Sequence, residues 1–173
     1  MQQRVRLWVF AAIFSVASYV VSAGISLGTA AYVASIFLDP LLNLTVPLLI
    51  LSVGFQAINE RWGAFAIGVI MAVLFALIFM FFLTVAELAA GLLTEATAYF
   101  LGYRGLKASV INTAVYGVTE GALSVYVGSL FLHYAIPALP FTGFAVAFAL
   151  IGALMGYLGQ SVSSYMLRSG LMR

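Results

Sequence analysis

Charge is scarce in this chain: of its 173 residues only 7% are Asp, Glu, Lys or Arg, while 65% are hydrophobic. An ordinary soluble domain carries roughly 25% charged residues, so a water-solvated surface cannot be made from this material. Cysteine is absent, which removes disulfides, thiolate metal sites and cysteine nucleophiles together. One histidine excludes a His-rich metal site. No GxxxxGK[ST], HExxH or GxSxG occurs, so Walker-type phosphate binding, zincin chemistry and the nucleophile elbow are all missing. The net charge of +2 comes without a basic run, which gives nucleic acid no footprint. The expectation is a chain that is not an enzyme and needs no cofactor and no metal.

What is present is apolar material in runs of about 18 residues or more, each long enough to cross a hydrocarbon core of ~30 Å at 1.5 Å per residue. The cations cluster at four places: Arg4 and Arg6, Arg61, Arg104 with Lys107, and Arg168 with Arg173. Under the positive-inside rule all four are cytoplasmic, so the chain crosses twice between each successive pair. This predicts an all-α polytopic membrane protein, a single domain over 1–173, with both termini cytoplasmic. The six spans fall near 5–24, 40–58, 64–83, 85–102, 108–132 and 141–167.

The external connections are then 25–39, a tight turn near Leu83–Val85, and 133–140. Trp8 and Trp62 lie beside cytoplasmic arginines, where an indole favours the interface. Asp39 and Pro40 read as N-cap and first-turn residues of the second span, and Pro47 as a kink within it. Residues 4–24 also have the shape of a secretory signal peptide, whose removal would leave five spans.

Stripes of small residues recur at i, i+4, i+7, i+11: Ala11, Ser15, Ser18 and Ser22 on the first span, Gly117, Gly121, Ser124 and Gly128 on the fifth, Gly152, Gly156, Gly159 and Ser163 on the sixth. Such faces let backbones approach within a bundle or dock another membrane protein.

The acids are placed oddly. With Glu87 at zero and 100° per residue, Thr94 falls at about −20°, Ala98 at about 20°, Gly91 at about 40°, Thr84 at about 60° and Glu95 at about 80°. On the fifth span Thr113, Tyr116, Glu120 and Ser124 share a face. A charge at mid-membrane costs roughly 2.5–3.5 kcal/mol on insertion scales, so these faces should meet inside the bundle or at a watery cavity. No Lys or Arg lies in the outer half of any span to pair with them. Carboxyls without a fixed cation suit a guest rich in N–H donors or positive charge. Glu87 can also be read as a first-turn acid favoured by its helix dipole, and Glu95 as a buried acid bonded to Thr or Tyr.

Six spans in this length, a long first external loop, the segment ELAAGLLTEATAYFLGYRG and the ending GALMGYLGQSVSSYMLRSGL together resemble the substrate-binding S components of energy-coupling factor (ECF) transporters. The likeness is nearest the group linked to thiamin and its pyrimidine precursor. The resemblance implies a prokaryotic plasma-membrane subunit that captures a vitamin or precursor from outside. It also implies partnership with a membrane coupling subunit and two cytoplasmic ATPases. Carried over, it implicates Glu87, Glu120, Tyr116, Tyr126 and His133 in substrate binding, with Thr84, Glu95, Thr113 and Ser124 behind them. It gives Ala11, Ser15 and Ser18 to partner docking. Two other classes fit the same residues: a proton- or ion-coupled carrier or channel with Glu87, Glu120 and Glu95 as a ladder, and a structural subunit of a larger membrane complex.

Overall fold

A computed structural model describes residues 2–29, 38–131, 133 and 138–170. Within them every regular element is a helix: α1 Gln2–Thr29, α2 Leu38–Ile58, α3 Gly63–Leu77, α4 Phe81–Leu101, α5 Leu106–Phe131 and α6 Ala138–Arg168. Three stretches are long and apolar enough to cross a membrane: Arg4–Ser26, Phe81–Leu101 and Pro140–Arg168. Leu44–Ile58 and Gly63–Leu77 are apolar but shorter. Helix α5 has the length, at 26 residues, yet its buried face is polar, with Ser109, Asn112, Thr113 and Ser124. Most of the expected external loop 25–39 lies outside the described residues.

Sequential helices pack side by side, α3 on α4, α4 on α5 and α5 on α6, while α1 and α6 close on α2. Val53 and Ala57 near the end of α2 meet Phe10 and Phe14 of α1 and Met166 and Leu167 of α6. The start of α1, the end of α2 and the end of α6 therefore share one end of the bundle. The turns 59–62 and 102–105 lie there too, since Arg104 Nε donates to the Gln56 carbonyl at 2.9 Å. All the cations among the described residues gather at that end. This is the clustering that the spacing of arginines predicts.

Close backbone approach explains the glycines. A Cβ on Gly68 of α3 would meet the Glu87 carbonyl at 2.7 Å and Gly91 Cα at 2.8 Å. A Cβ on Gly152 or Gly156 of α6 would meet the backbone of α5 at Ala114 and Ser109, each within 2.7 Å. Gly121 takes the Phe148 ring against its Cα. Gly117 and Gly121 of α5 thus lie against α6, and Gly152 and Gly156 of α6 against α5, while Gly128 meets Phe82 of α4 and Gly159 meets Ser52 of α2.

Three expectations need correction. The turn expected near Leu83–Val85 lies instead at Ile78–Met80, with Phe79 at φ 62 and Met80 N–H donating to the Phe75 carbonyl at 3.0 Å. Glu87 is therefore the seventh residue of α4, beyond the first turn, where a helix dipole no longer favours an acid. Helix α2 begins at Leu38, so Asp39 and Pro40 both stand inside its first turn. Lastly, Ala11, Ser15 and Ser18 are fully buried. Ser15 Oγ donates to the Ile67 carbonyl of α3 and Ser18 Oγ to the Pro47 carbonyl of α2, each at 3.3 Å. The small face of α1 is internal glue, and a partner cannot reach it in this arrangement.

Candidate functional site

Helices α4 and α5 run antiparallel. Their register is pinned at one end where Thr97 Oγ1 donates to Asn112 Oδ1 at 3.1 Å, and at the other where Gly128 lies on the Phe82 ring. Counting inward from both pins brings Glu87 within one helical turn of Glu120, and Thr94 within one turn of Thr113 about 10 Å further along, from seven residues at 1.5 Å.

Glu87 is fully buried. The Tyr116 hydroxyl, itself on a fully buried side chain, donates to Glu87 Oε2. Glu120 lies close enough to interact with both Glu87 and Tyr116. The Tyr116 ring also rests against Phe55 of α2, with centroids 5.5 Å apart. So Glu87, Tyr116 and Glu120, three residues singled out by sequence, form one group. Glu120 is only partly buried, and it is the member of the group with surface to offer.

That group is not saturated. Glu87 Oε1, fully enclosed, accepts from no amide or hydroxyl; besides Tyr116, the Glu120 carboxyl is the group within hydrogen-bond reach of Glu87. Thr94 Oγ1 and Thr113 Oγ1 are likewise buried without partners. Buried polar atoms nearly always find partners; of the five without one among the described residues, these three lie on the α4–α5 interface and two, Gln160 Oε1 and Ser163 Oγ, on α6. The helical face of α4 reads correctly from the sequence: Glu87, Gly91, Thr94, Glu95 and Ala98 are all buried.

Glu95 does different work. Its Oε1 accepts from the Trp62 N–H at 2.6 Å and its Oε2 from the Ala64 N–H at 3.2 Å, and the Tyr103 hydroxyl donates to Oε1 as well. The first amides of α3 have no intrahelical acceptor and no cap of their own at Trp62; an acid from α4 supplies one, with the sign the dipole favours. Burial, then the bond to Glu95, pushes the Tyr103 phenol well above its usual range.

The other expected site residues stand apart. Tyr126 is 52% exposed, with its ring 6.4 Å from that of Phe141. His133 is exposed at φ 53, just past the end of α5. Along the axis they lie about 9 Å and 20 Å from Glu120. Thr84 Oγ1 bonds the Ala72 and Met80 carbonyls at 3.3 Å each, and Ser124 Oγ the Gly121 carbonyl at 2.9 Å. These two are local fasteners of the helices.

Sequence reasoning did not single out Tyr103, Thr97, Asn112 or Gln56. Gln56 Nε2 donates to Ser109 Oγ at 2.9 Å, and Ser109 Oγ to the Gly156 carbonyl at 2.8 Å. The signal was available: Ser109, Asn112, Thr113 and Tyr116 continue the face of Glu120 at helical spacing.

What the Glu87–Tyr116–Glu120 group can do chemically is accept hydrogen bonds. Among the described residues no cluster of three His, Cys, Asp or Glu could hold a metal. Comparison with protein-family models, with curated proteins and with solved structures gave no match to this chain.

Proposed function

We propose that this chain crosses the bilayer six times with its cationic end cytoplasmic. We further propose that it is the high-affinity substrate-capture subunit of an ECF-type importer for a nitrogenous or cationic vitamin or precursor, related to thiamin. The observation that carries the reading is the enclosed Glu87 carboxyl, which accepts from Tyr116 on one oxygen and from no amide or hydroxyl on the other, beside the only partly buried carboxyl of Glu120. A protonated carboxyl can hold an amino group next to a ring nitrogen at two points, its carbonyl oxygen accepting from the amino N–H and its O–H donating to the ring nitrogen. The gathering of cations at one end supports the orientation. On this reading the chain holds no cofactor, hydrolyses no ATP, and works with a membrane coupling subunit and two cytoplasmic ATPases.

The competing reading, a proton- or ion-coupled carrier or channel, makes a ladder of Glu87, Glu120 and Glu95. Glu95 already accepts three hydrogen bonds that hold the start of α3, which makes it a poor rung. Transport by reconstituted vesicles separates the two. The capture reading expects no net uptake of thiamin-related compounds by the chain alone and ATP-dependent uptake once coupling subunit and ATPases are added. Proton-driven uptake by the chain alone would overturn it.

A further inference from the structure

The turn between α2 and α3 is strained and held. Two non-glycine residues in four take left-handed backbone, Asn59 at φ 47 and Trp62 at φ 72; such conformations persist only where surroundings over-determine them. Here the restraint comes from another helix, through the Glu95 carboxylate on the Trp62 N–H at 2.6 Å. The result is a fixed display. Trp62 is 57% exposed, and the exposed Arg61 has its guanidinium carbon 4.7 Å from the centre of the Tyr99 ring. The Tyr103 hydroxyl on the same Glu95 oxygen ties in the next turn, which brings exposed Arg104, fastened to the Gln56 carbonyl, and exposed Lys107. Phe100, 82% exposed, lies beside Tyr99.

Two cations on two turns stapled by one buried acid, with a third at the start of α5 and outward-facing aromatic rings around them, fit an anion that sits at the edge of an apolar phase. We propose that the 59–62 and 102–107 turns form a binding site for the headgroup phosphate of an anionic phospholipid, with Arg61, Arg104 and Lys107 on the phosphate and Trp62 and Phe100 against the upper acyl chains. Glu95 is a positioning residue for this site: it touches no lipid and sets the turn that presents Arg61. The inference rests on the reading of the bundle as membrane-spanning, because only then do the rings meet lipid. It does not depend on what the chain transports.

The test uses the full chain with Trp8→Phe, which leaves Trp62 as the one tryptophan of the two in the sequence. It is reconstituted at low ionic strength in phosphatidylcholine vesicles containing a minor fraction of lipid brominated near the headgroup. The expected result is stronger quenching of Trp62 by brominated phosphatidylglycerol than by brominated phosphatidylcholine. The corresponding local enrichment is about fivefold for each cation engaged, from ~1 kcal/mol per Lys or Arg at an anionic surface. Arg61→Gln with Lys107→Gln removes the preference, and Arg61→Lys with Lys107 intact retains it. Glu95→Ala lowers it while the helical circular dichroism persists. Equal quenching by both lipids overturns the headgroup site and leaves the membrane reading standing. Loss of the preference on adding inorganic phosphate, but not chloride at matched ionic strength, overturns it in favour of a soluble phosphate ligand. No quenching by either lipid overturns the site together with its membrane setting.

Discussion

Adding one methyl group at Gly68 tests the packing that positions Glu87. The new Cβ would stand 2.7 Å from the Glu87 carbonyl and 2.8 Å from Gly91 Cα, and both obstacles are backbone, which cannot swing aside as a side-chain end does. Helices α3 and α4 must separate. Overpacking of this kind costs about 1–3 kcal/mol, which for a chain of this size is a fall of roughly 2–12 °C in melting temperature. Gly24→Ala is the matched control. Gly24 lies within α1 with nothing inside 4 Å of its virtual Cβ, so alanine there should be neutral or stabilise by up to ~1 kcal/mol through helix propensity. The assay is thermal unfolding of both variants in the same detergent, followed by circular dichroism. Gly68→Ala melting at or above Gly24→Ala would refute the contact between α3 and α4 and the placement of Glu87 that depends on it.

Tyr116→Phe removes the donor to Glu87 Oε2 and leaves a second enclosed oxygen unmatched, a loss of about 1–3 kcal/mol measurable by the same melting experiment. Glu95→Ala strips acceptors from the Trp62 and Ala64 amides and from Tyr103, so amide hydrogen exchange should rise at the start of α3 while the far end of α3 keeps its protection. The Tyr103 phenol has its pKa raised by folding, so its neutral form stabilises the native state below the unfolded tyrosine value near ~10, and that contribution is lost as pH climbs above it. Absorbance titration of the folded protein should show a late-ionising tyrosine that Tyr103→Phe removes.

Much of the bundle was legible because helical spacing and arginine position carry it. The buried face of α4 follows from Glu87, Gly91, Thr94 and Ala98 falling within a narrow arc, and every turn at the cationic end is marked by glycine or charge. The opposite turn at Ile78–Met80 was misplaced because the run IFMFFLT contains no glycine, proline or charge to break the apolar pattern; Phe79 adopts positive φ where a polar residue is more usual. The role of Glu95 was hidden for another reason. Its partners lie in a turn 33 and 31 residues earlier, a tertiary relation that no single-helix periodicity contains. Similarly, Ala11, Ser15 and Ser18 form a small face in either reading, and only the packing of α1 on α2 and α3 shows that the bundle itself takes it up.

On the proposed function, Glu87 and Glu120 together receive a nitrogen-bearing guest. Isothermal titration of the purified chain with thiamin and its hydroxymethylpyrimidine precursor, in parallel with Glu120→Gln, tests this most directly. The expected result is saturable tight binding of at least one compound to the parent chain, weakened at least tenfold by Glu120→Gln in a variant whose melting temperature is unchanged. Binding that is indifferent to Glu120, or absent for every compound bearing an aminopyrimidine or a cationic ring, would contradict it.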